Sequence, residues 1–159
     1  GYAIEPDGDN SFKGYQNTRG KVYFYAVANH NIKELANLKG KQGVLPVVNF
    51  VDADQPLEIK IGLSFTSLEN AKLNLEKELA GKTFAQVKDE AAKTWETLLS
   101  KIQVTGGTER EKGLFYSCLY RSFLWPVLRS DVNGEFMDES RKVVKKNFEY
   151  YSITSLWDE

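Results

Sequence analysis

The run Leu57-Glu58-Ile59-Lys60-Ile61-Gly62-Leu63-Ser64-Phe65 alternates apolar residues with small or polar ones. A β-strand with one buried face requires such a period of two, because successive side chains point to opposite faces. After Ser67, a plausible helix N-cap, the period becomes helical. Apolar residues then recur at i, i+3, i+7 and i+11, namely Leu68, Ala71, Leu75 and Leu79. The chain therefore passes from strand to helix near Ser67, and we expect an α+β fold.

Two further strands are predicted upstream of this point. One is the β-branched and aromatic run Val22–Ala28, and the other is Val47–Val51. The polar residues 33–43 between them are consistent with either a surface loop or a hairpin connection. Three strands are too few to close a sandwich, so we expect them to belong to one whose other strands lie upstream.

Two more helices are predicted downstream, each opened by a capping box, at Thr83-Phe84-Ala85-Gln86 and at Thr108-Glu109-Arg110-Glu111. The first carries an apolar stripe: Phe84, Val87, Ala91, Trp95, Leu98 and Ile102. The second is apolar over more than half of its circumference and should end at Pro126. Both apolar faces need a partner surface. Cys118 lies among apolar residues of the second helix and is interpreted as a small core residue.

The composition argues against several classes of function. With 21 basic and 22 acidic residues the net charge is −1, which gives no excess of positive charge for nucleic acid. No apolar run approaches the ~18 residues of a membrane-spanning helix. The single cysteine excludes a disulfide within the chain, and His30, the only histidine, has no partner at metal or triad spacing.

Aromatic residues make up 13% of the chain. Such a content suits a sugar-binding cleft, but it also suits a core rich in large side chains. The same ambiguity holds for Ser155-Leu156-Trp157-Asp158 near the C-terminus. Asp158 could cap a following helix while Trp157 packs, or both could contact a sugar. The residues alone leave both interpretations open.

An ordered set of motifs closely resembles glycoside hydrolase family 92, the bacterial exo-acting, calcium-dependent α-mannosidases. The set consists of Gly106-Gly107-Thr108-Glu109, Phe115-Tyr116 with Leu119-Tyr120, Ser130-Asp131-Val132-Asn133-Gly134, Tyr150-Tyr151-Ser152 and Ser155-Leu156-Trp157-Asp158. Upstream, the similarity extends through Lys21-Val22-Tyr23-Phe24, the run from Ile61 to Ser67 that leads to Ala71, Asn74 and Leu75, and Trp95-Glu96. The resemblance covers nearly the whole chain in the right order.

The resemblance implies a β-sandwich, a helical linker and an α/α toroid. Residues 1–66 would be the last sandwich strands, 67–105 the linker and 106–159 the beginning of the incomplete toroid. It also implies hydrolysis with inversion, in which a carboxylic acid protonates the leaving oxygen and a carboxylate activates water. A calcium ion would bind sugar hydroxyls. The general acid, general base and calcium ligands of the family lie beyond Glu159, so no catalytic or metal-binding residue is assigned in this chain.

Residue by residue, the resemblance places Trp157 and Asp158 in the subsite for the terminal mannose, as substrate-binding residues. Asp131 matches a motif but is interpreted as structural, because an aspartate side chain can bond the backbone of a turn. Glu159 departs from the threonine usual in the family, and the loop Met137–Asn147 departs from a glycine- and histidine-containing pattern.

The expected parent is a secreted or periplasmic enzyme whose partners are a mannose-containing glycan and the remainder of the parent chain. The isolated piece should be inactive. The alternative is a non-catalytic carbohydrate-binding or interaction module, which the aromatic content and the missing catalytic set would also fit. Neither a nucleic-acid partner nor a membrane-spanning segment is expected.

Overall fold

The structure is a computed structural model that describes residues 1–18, 20–40, 43–51 and 54–152. Its strands are β1 (Tyr2–Pro6), β2 (Ser11–Asn17), β3 (Lys21–Ala28), β4 (Ile32–Gly40), β5 (Gly43–Phe50), β6 (Ile59–Ser64), β7 (Val127–Leu128), β8 (Glu135–Met137), β9 (Val143–Lys145) and β10 (Tyr151–Ser152). Its helices are α1 (Leu68–Leu79), α2 (Phe84–Leu99) and α3 (Glu109–Ser122). The α+β class is thus confirmed. None of these described helices is long and apolar enough to cross a bilayer.

Four strands form the main antiparallel sheet, in the order β1-β2-β3-β6. The predicted strands β3 and β6 pair with Phe24 opposite Leu63, while β1 and β2 are strands that the sequence pattern did not predict. Of the segment 33–43, the described residues 33–40 and 43 lie in the antiparallel pair β4–β5, which agrees with the hairpin alternative for this segment. The loop expected at 137–147 contains most of a second, shorter hairpin, β8–β9.

Helix α1 packs on one face of the main sheet. The core there consists of Tyr25, Ala71 and Leu75, with Tyr23 and Val27 packed against it. Helix and sheet come unusually close at Gly62, since a β-carbon there would overlap the carbonyl oxygen of Ala71 and crowd Leu75. The strand-to-helix transition near Ser67 therefore depends on a residue without a side chain.

The buried face of β6 is the opposite of the one that its sequence pattern suggests. The alternation is present, but Ile61 and Leu63 are 53% and 55% exposed, whereas Gly62 and Ser64 are buried. Helix α1 covers the small and polar side because only that side permits the close approach at Gly62. The apolar side of the strand lies exposed in the described part of the chain.

All three predicted helix starts are confirmed. The side chain of Ser67 caps α1, and Thr83 and Thr108 form complete capping boxes. Helix α3 ends at Ser122, before Pro126. Neither α2 nor α3 has a buried residue, and Cys118 is exposed, so its interpretation as a core residue is wrong in this chain.

The chain divides into two compact units. One contains residues Gly1–Ala80 and Ser130–Phe148, and the other contains Gly81–Arg129 and Glu149–Glu159. In the second unit the rings of Trp95 and Tyr120 lie 4.4 Å apart, which joins α2 to α3. The division of the parent into sandwich, linker and toroid at residues 66 and 105 stays a prediction.

Candidate functional site

The two predicted substrate-binding residues, Trp157 and Asp158, lie outside the described residues. The described chain that leads to them is β10, which pairs with β7 through Tyr151 opposite Leu128. The Arg129 amide donates to the Tyr150 carbonyl at 2.8 Å and extends this pairing. The Tyr151 hydroxyl donates to Glu149 at 2.6 Å, and this hydrogen bond raises the pKa of the tyrosine.

The strongest concentration of functional groups in the described chain is a buried polar network, here termed the Asp131 cluster. Its members are Ser64, Thr66, Asn70, Asn74, Asp131, Asn133 and Glu135. Asn70 and Asn74 are one helical turn apart on α1 and therefore share a face. The turn at 131–135 is made possible by Gly134, whose φ of +82° favours glycine.

The Asp131 carboxylate is the centre of this cluster and is only 6% exposed. Its Oδ2 accepts from the hydroxyls of Ser64 at 2.9 Å and Thr66 at 2.5 Å, and from the Asn70 amide at 3.0 Å. Its Oδ1 accepts from the Asn74 amide at 2.7 Å. A buried carboxylate is tolerated because four donors replace water.

Reciprocal bonds fix the orientation of the asparagines. The Oδ1 of Asn74 accepts from the Val132 amide at 3.0 Å, and the Oδ1 of Asn70 accepts from Nδ2 of Asn133 at the same distance. The amide group of Asn74 also donates to the Leu63 carbonyl at 2.7 Å. Each of the two asparagines thus donates through Nδ2 and accepts through Oδ1. Turning either amide group over would break these hydrogen bonds, so each has a single favourable orientation.

Glu135 completes the cluster on its more open side. Its Oε2 accepts from the Asn70 amide at 2.7 Å. This hydrogen bond, followed by one from Asn133 and by the positive charge of Lys145, lowers the pKa of Glu135 from its ordinary value of 4.5. The carboxylate is therefore held in its ionised form, next to amide donors.

The donor set of the Asp131 cluster does not fit a calcium ion. Calcium takes six to eight oxygen ligands, whereas the carboxylate oxygens here are occupied by N–H and O–H donors. Across the described ranges, no group of three or more histidine, cysteine, aspartate or glutamate side chains could hold a metal. The cluster joins β6, α1 and the turn at 131–135.

The structural interpretation of Asp131 agrees with this geometry, but its bonding partners differ from the expected ones. Its side chain bonds residues 57 to 67 positions away in the sequence instead of the backbone of its own turn. Sequence reasoning missed Asn70 and Asn74 as functional residues. The signal that could have revealed them is the presence of two poor helix formers, four residues apart, beside an apolar stripe.

A shallow groove of about 360 Å³ lies in the second unit, and its lining residues are Leu99, Gly113, Tyr116, Ser117, Tyr120 and Arg121. The Tyr116 hydroxyl, which could bond a sugar, donates to the Ile102 carbonyl at 3.2 Å. No carboxylate lines this groove, so it lacks the acid–base pair of a glycosidase.

Comparisons with known proteins place this chain in a family. The family model described as the glycosyl hydrolase family 92 catalytic domain matches residues 70–159, which is more than half of the chain. The curated proteins include no match. Among solved structures, a family GH92 alpha-mannosidase from Bacteroides thetaiotaomicron superimposes with a TM-score of 0.83 and 23% identity, over 99% of this chain and 24% of that one.

Other structures give the same result. The same Bacteroides thetaiotaomicron enzyme in complex with mannoimidazole superimposes with a TM-score of 0.82, again at 23% identity and over 99% of this chain and 24% of that one. A family GH92 inverting mannosidase from Bacteroides thetaiotaomicron has a TM-score of 0.72 and 24% identity, with the same coverage of both chains. This chain thus spans about 24% of the length of these structures, and their likeness shows the fold. From the family match over residues 70–159, this chain belongs to glycosyl hydrolase family 92.

Proposed function

We propose that this chain is part of an exo-acting α-mannosidase that hydrolyses terminal α-mannosides of glycans with inversion of configuration. The observation that carries the proposal is the match of residues 70–159 to the family's catalytic domain. Its structural neighbours, an alpha-mannosidase and an inverting mannosidase, support the substrate and the stereochemistry.

In this proposal the chain contributes residues that bind the substrate and part of the structural framework. The catalytic groups lie elsewhere in the parent. Residues 1–66 are the last strands of a β-sandwich, 67–105 the helical linker and 106–159 the beginning of an α/α toroid. The general acid and the general base belong to the remainder of the parent. The carboxylates of the Asp131 cluster are already engaged by amide and hydroxyl donors, which supports this division of roles.

Trp157 and Asp158 are the proposed contacts to the terminal mannose. A carboxylate can accept hydrogen bonds from two sugar hydroxyls, and an indole ring offers a flat apolar wall to the C–H face of a pyranose. Calcium, when bound to ligands elsewhere in the parent, supplies a hard cation for sugar hydroxyls. The mannose-containing glycan and the remainder of the parent are the proposed partners, in a secreted or periplasmic enzyme.

The test uses the full-length parent with an aryl α-mannoside. Proton NMR of the first-formed sugar should show the β-anomer, since one displacement inverts the α-configuration. An Asp158→Asn variant should raise KM by roughly tenfold, because each lost hydrogen bond to a charged group weakens binding by about 1.5 kcal/mol or more. The matched control is Asp89→Asn, at an exposed position of α2, which should leave KM unchanged.

Other outcomes would contradict the proposal in distinct ways. An α-anomer as first product would contradict inversion, and an unchanged KM in Asp158→Asn would contradict its place in the subsite. Binding of mannosides without any hydrolysis would favour the non-catalytic carbohydrate-binding module. Release of mannose by the 159-residue chain alone, with calcium added, would show that the acid and base lie within it.

A further inference from the structure

Asn133-Gly134 is the only asparagine–glycine pair in the chain. Such a pair is chemically labile, because glycine has no side chain to keep its backbone nitrogen from the neighbouring carboxamide carbon. When the nitrogen attacks that carbon, its proton and the Nδ2 amino group leave together as ammonia, and a cyclic succinimide remains. Water then opens the ring to aspartate, or to isoaspartate, in which the main chain runs through the side-chain carbonyl.

The fold holds both reacting groups away from this reaction. The Gly134 amide donates to the Asp131 carbonyl at 2.8 Å. The Asn133 side chain donates through Nδ2 to Oδ1 of Asn70 at 3.0 Å and accepts through Oδ1 from the Glu135 amide, also at 3.0 Å. Ring closure must break the first two of these bonds, because it removes the amide hydrogen of Gly134 and the Nδ2 of Asn133.

Bonds from outside the turn keep it from opening. The Asp131 carboxylate, at the start of the turn, receives four donors from β6, the loop after it and α1. The Gly134 carbonyl accepts from the Lys146 amide at 3.1 Å, just after β9. The Asp131 amide also donates to the Glu135 carbonyl at 2.8 Å. The reaction therefore needs the turn itself to open, and rotation of one side chain is not enough.

The product of the reaction does not fit the site. In aspartate, an acceptor oxygen replaces Nδ2 of Asn133 and faces Oδ1 of Asn70, which is itself an acceptor. Asn70 cannot turn over to compensate, because its Nδ2 already donates to Thr66, Asp131 and Glu135. The new carboxylate also joins two others in one cluster, where like charges repel. Modification should therefore weaken the folded state of the first unit.

We propose that Asn133 is a deamidation site, which the Asp131 cluster keeps unreactive while the first unit is folded and which cannot restore the cluster once modified. Each opening of the turn then exposes the unit to an irreversible loss of stability. The co-reactant is water, and no enzyme is needed. This inference concerns the stability of the first unit and does not depend on the mannosidase activity proposed above.

The first test incubates the full-length parent, folded or unfolded in guanidinium chloride, in the same mildly alkaline buffer. Mass spectrometry of peptides measures the replacement of the side-chain amino group by hydroxyl. We expect conversion at Asn133 to be at least about tenfold slower in the folded protein, because it must await opening of the turn. Asn147 is the internal control, since the bulky Phe148 after it hinders ring closure in both samples.

A matched pair of variants tests the role of the cluster. Ser64→Ala removes a hydroxyl that donates to Asp131 at 2.9 Å, whereas Ser140→Ala removes one that donates to Asp138 at 2.7 Å within its own turn. In the folded parent, Ser64→Ala should speed conversion at Asn133 about tenfold, since a lost bond to a charged group is worth that much. Ser140→Ala should leave the rate unchanged.

A second pair tests the product and remains informative if Ser64→Ala fails to fold. Asn133→Asp introduces the deamidated side chain directly, and Asn147→Asp adds the same charge at an exposed position. Hydrogen exchange of peptides from α1, which carries Asn70, should be about tenfold faster in Asn133→Asp and unchanged in Asn147→Asp.

Three results would overturn the inference. Equal rates at Asn133 in the folded and unfolded parent would show that the bonds of the turn do not restrain the reaction. No conversion at Asn133 in the unfolded parent would show that the pair is not labile. Equal exchange of α1 in the two aspartate variants would show that the product fits the cluster. An inactive parent would overturn only the proposed function.

Discussion

At the scale of single residues, the two carboxylates of the Asp131 cluster are stabilised in different ways. Asp131 is buried and receives donors on both oxygens, whereas Glu135 is half-buried and depends mainly on the Asn70 amide. Removing either partner of a buried polar pair costs more than the bond itself is worth, because the other group is left without water. The stability of the first unit therefore depends on both residues keeping their donors.

Acid should weaken this unit through Glu135. Its pKa is lowered in the folded state, so its ionised form stabilises the fold fully above the ordinary value of 4.5 and loses this effect as the pH falls through the lower native pKa. We expect the free energy of urea unfolding to fall more for the wild type than for Glu135→Gln as the pH drops below 4.5, because glutamine keeps the shape without the charge. An equal loss in both proteins would contradict this assignment.

At the scale of elements, the contact between α1 and the main sheet is set by Gly62. The contact is close because this residue has no side chain, and a β-carbon there would meet the backbone of α1 rather than a flexible side chain. A helix backbone cannot move away without also displacing Asn70 and Asn74, which bind the Asp131 carboxylate. The packing of the helix and the polar cluster are therefore coupled.

Substitution of Gly62 by alanine should destabilise the chain by about 1–3 kcal/mol, the usual cost of overpacking. Gly113 is the matched control, since it lies inside α3 and a β-carbon there meets no atom within 4 Å. Gly113→Ala should stabilise the helix by up to about 1 kcal/mol. Urea unfolding of the two variants measures both effects. Equal stabilities of Gly62→Ala and Gly113→Ala would show that α1 can shift to accommodate the added β-carbon.

Elements defined by neighbouring residues were predictable, and those defined by distant ones were not. The three helix starts follow from caps that act within three residues, so Ser67, Thr83 and Thr108 could be identified from the sequence. The exposed side of β6 could not be predicted. Alternation shows that a strand has two different faces, but it does not show which face a helix will cover. The partners of Asp131, about 60 residues away, leave no periodic signal.

At the scale of the whole chain, large apolar side chains lie exposed on both helices of the second unit. Phe84 at the start of α2 is 65% exposed, and Leu114 in α3 is 64% exposed. These are the faces that the sequence predicted to need a partner surface. Large apolar side chains exposed to water favour association.

The 159-residue chain should therefore self-associate, and sedimentation should give a mass above its 18.1 kDa. Leu114→Lys should weaken the association by roughly tenfold, because burying a leucine contributes about 1.5–3 kcal/mol. Thr97→Lys on α2 is the control, since it adds the same charge at an exposed polar position. A monomeric wild type, or an equal effect of both substitutions, would show that these helices do not drive association.

The discontinuous first unit also has a consequence for synthesis on the ribosome. Residues 1–80 are synthesised first. The carboxylate to which their hydroxyl and amide groups donate belongs to Asp131 and is made later. At about 5–20 residues per second, several seconds pass before the hairpin that ends near 148 has been made. Until then, we expect the donors on β6 and α1 to be hydrated instead of bonded to Asp131. The speed of translation over this stretch therefore sets how long the incomplete unit is exposed to the cell.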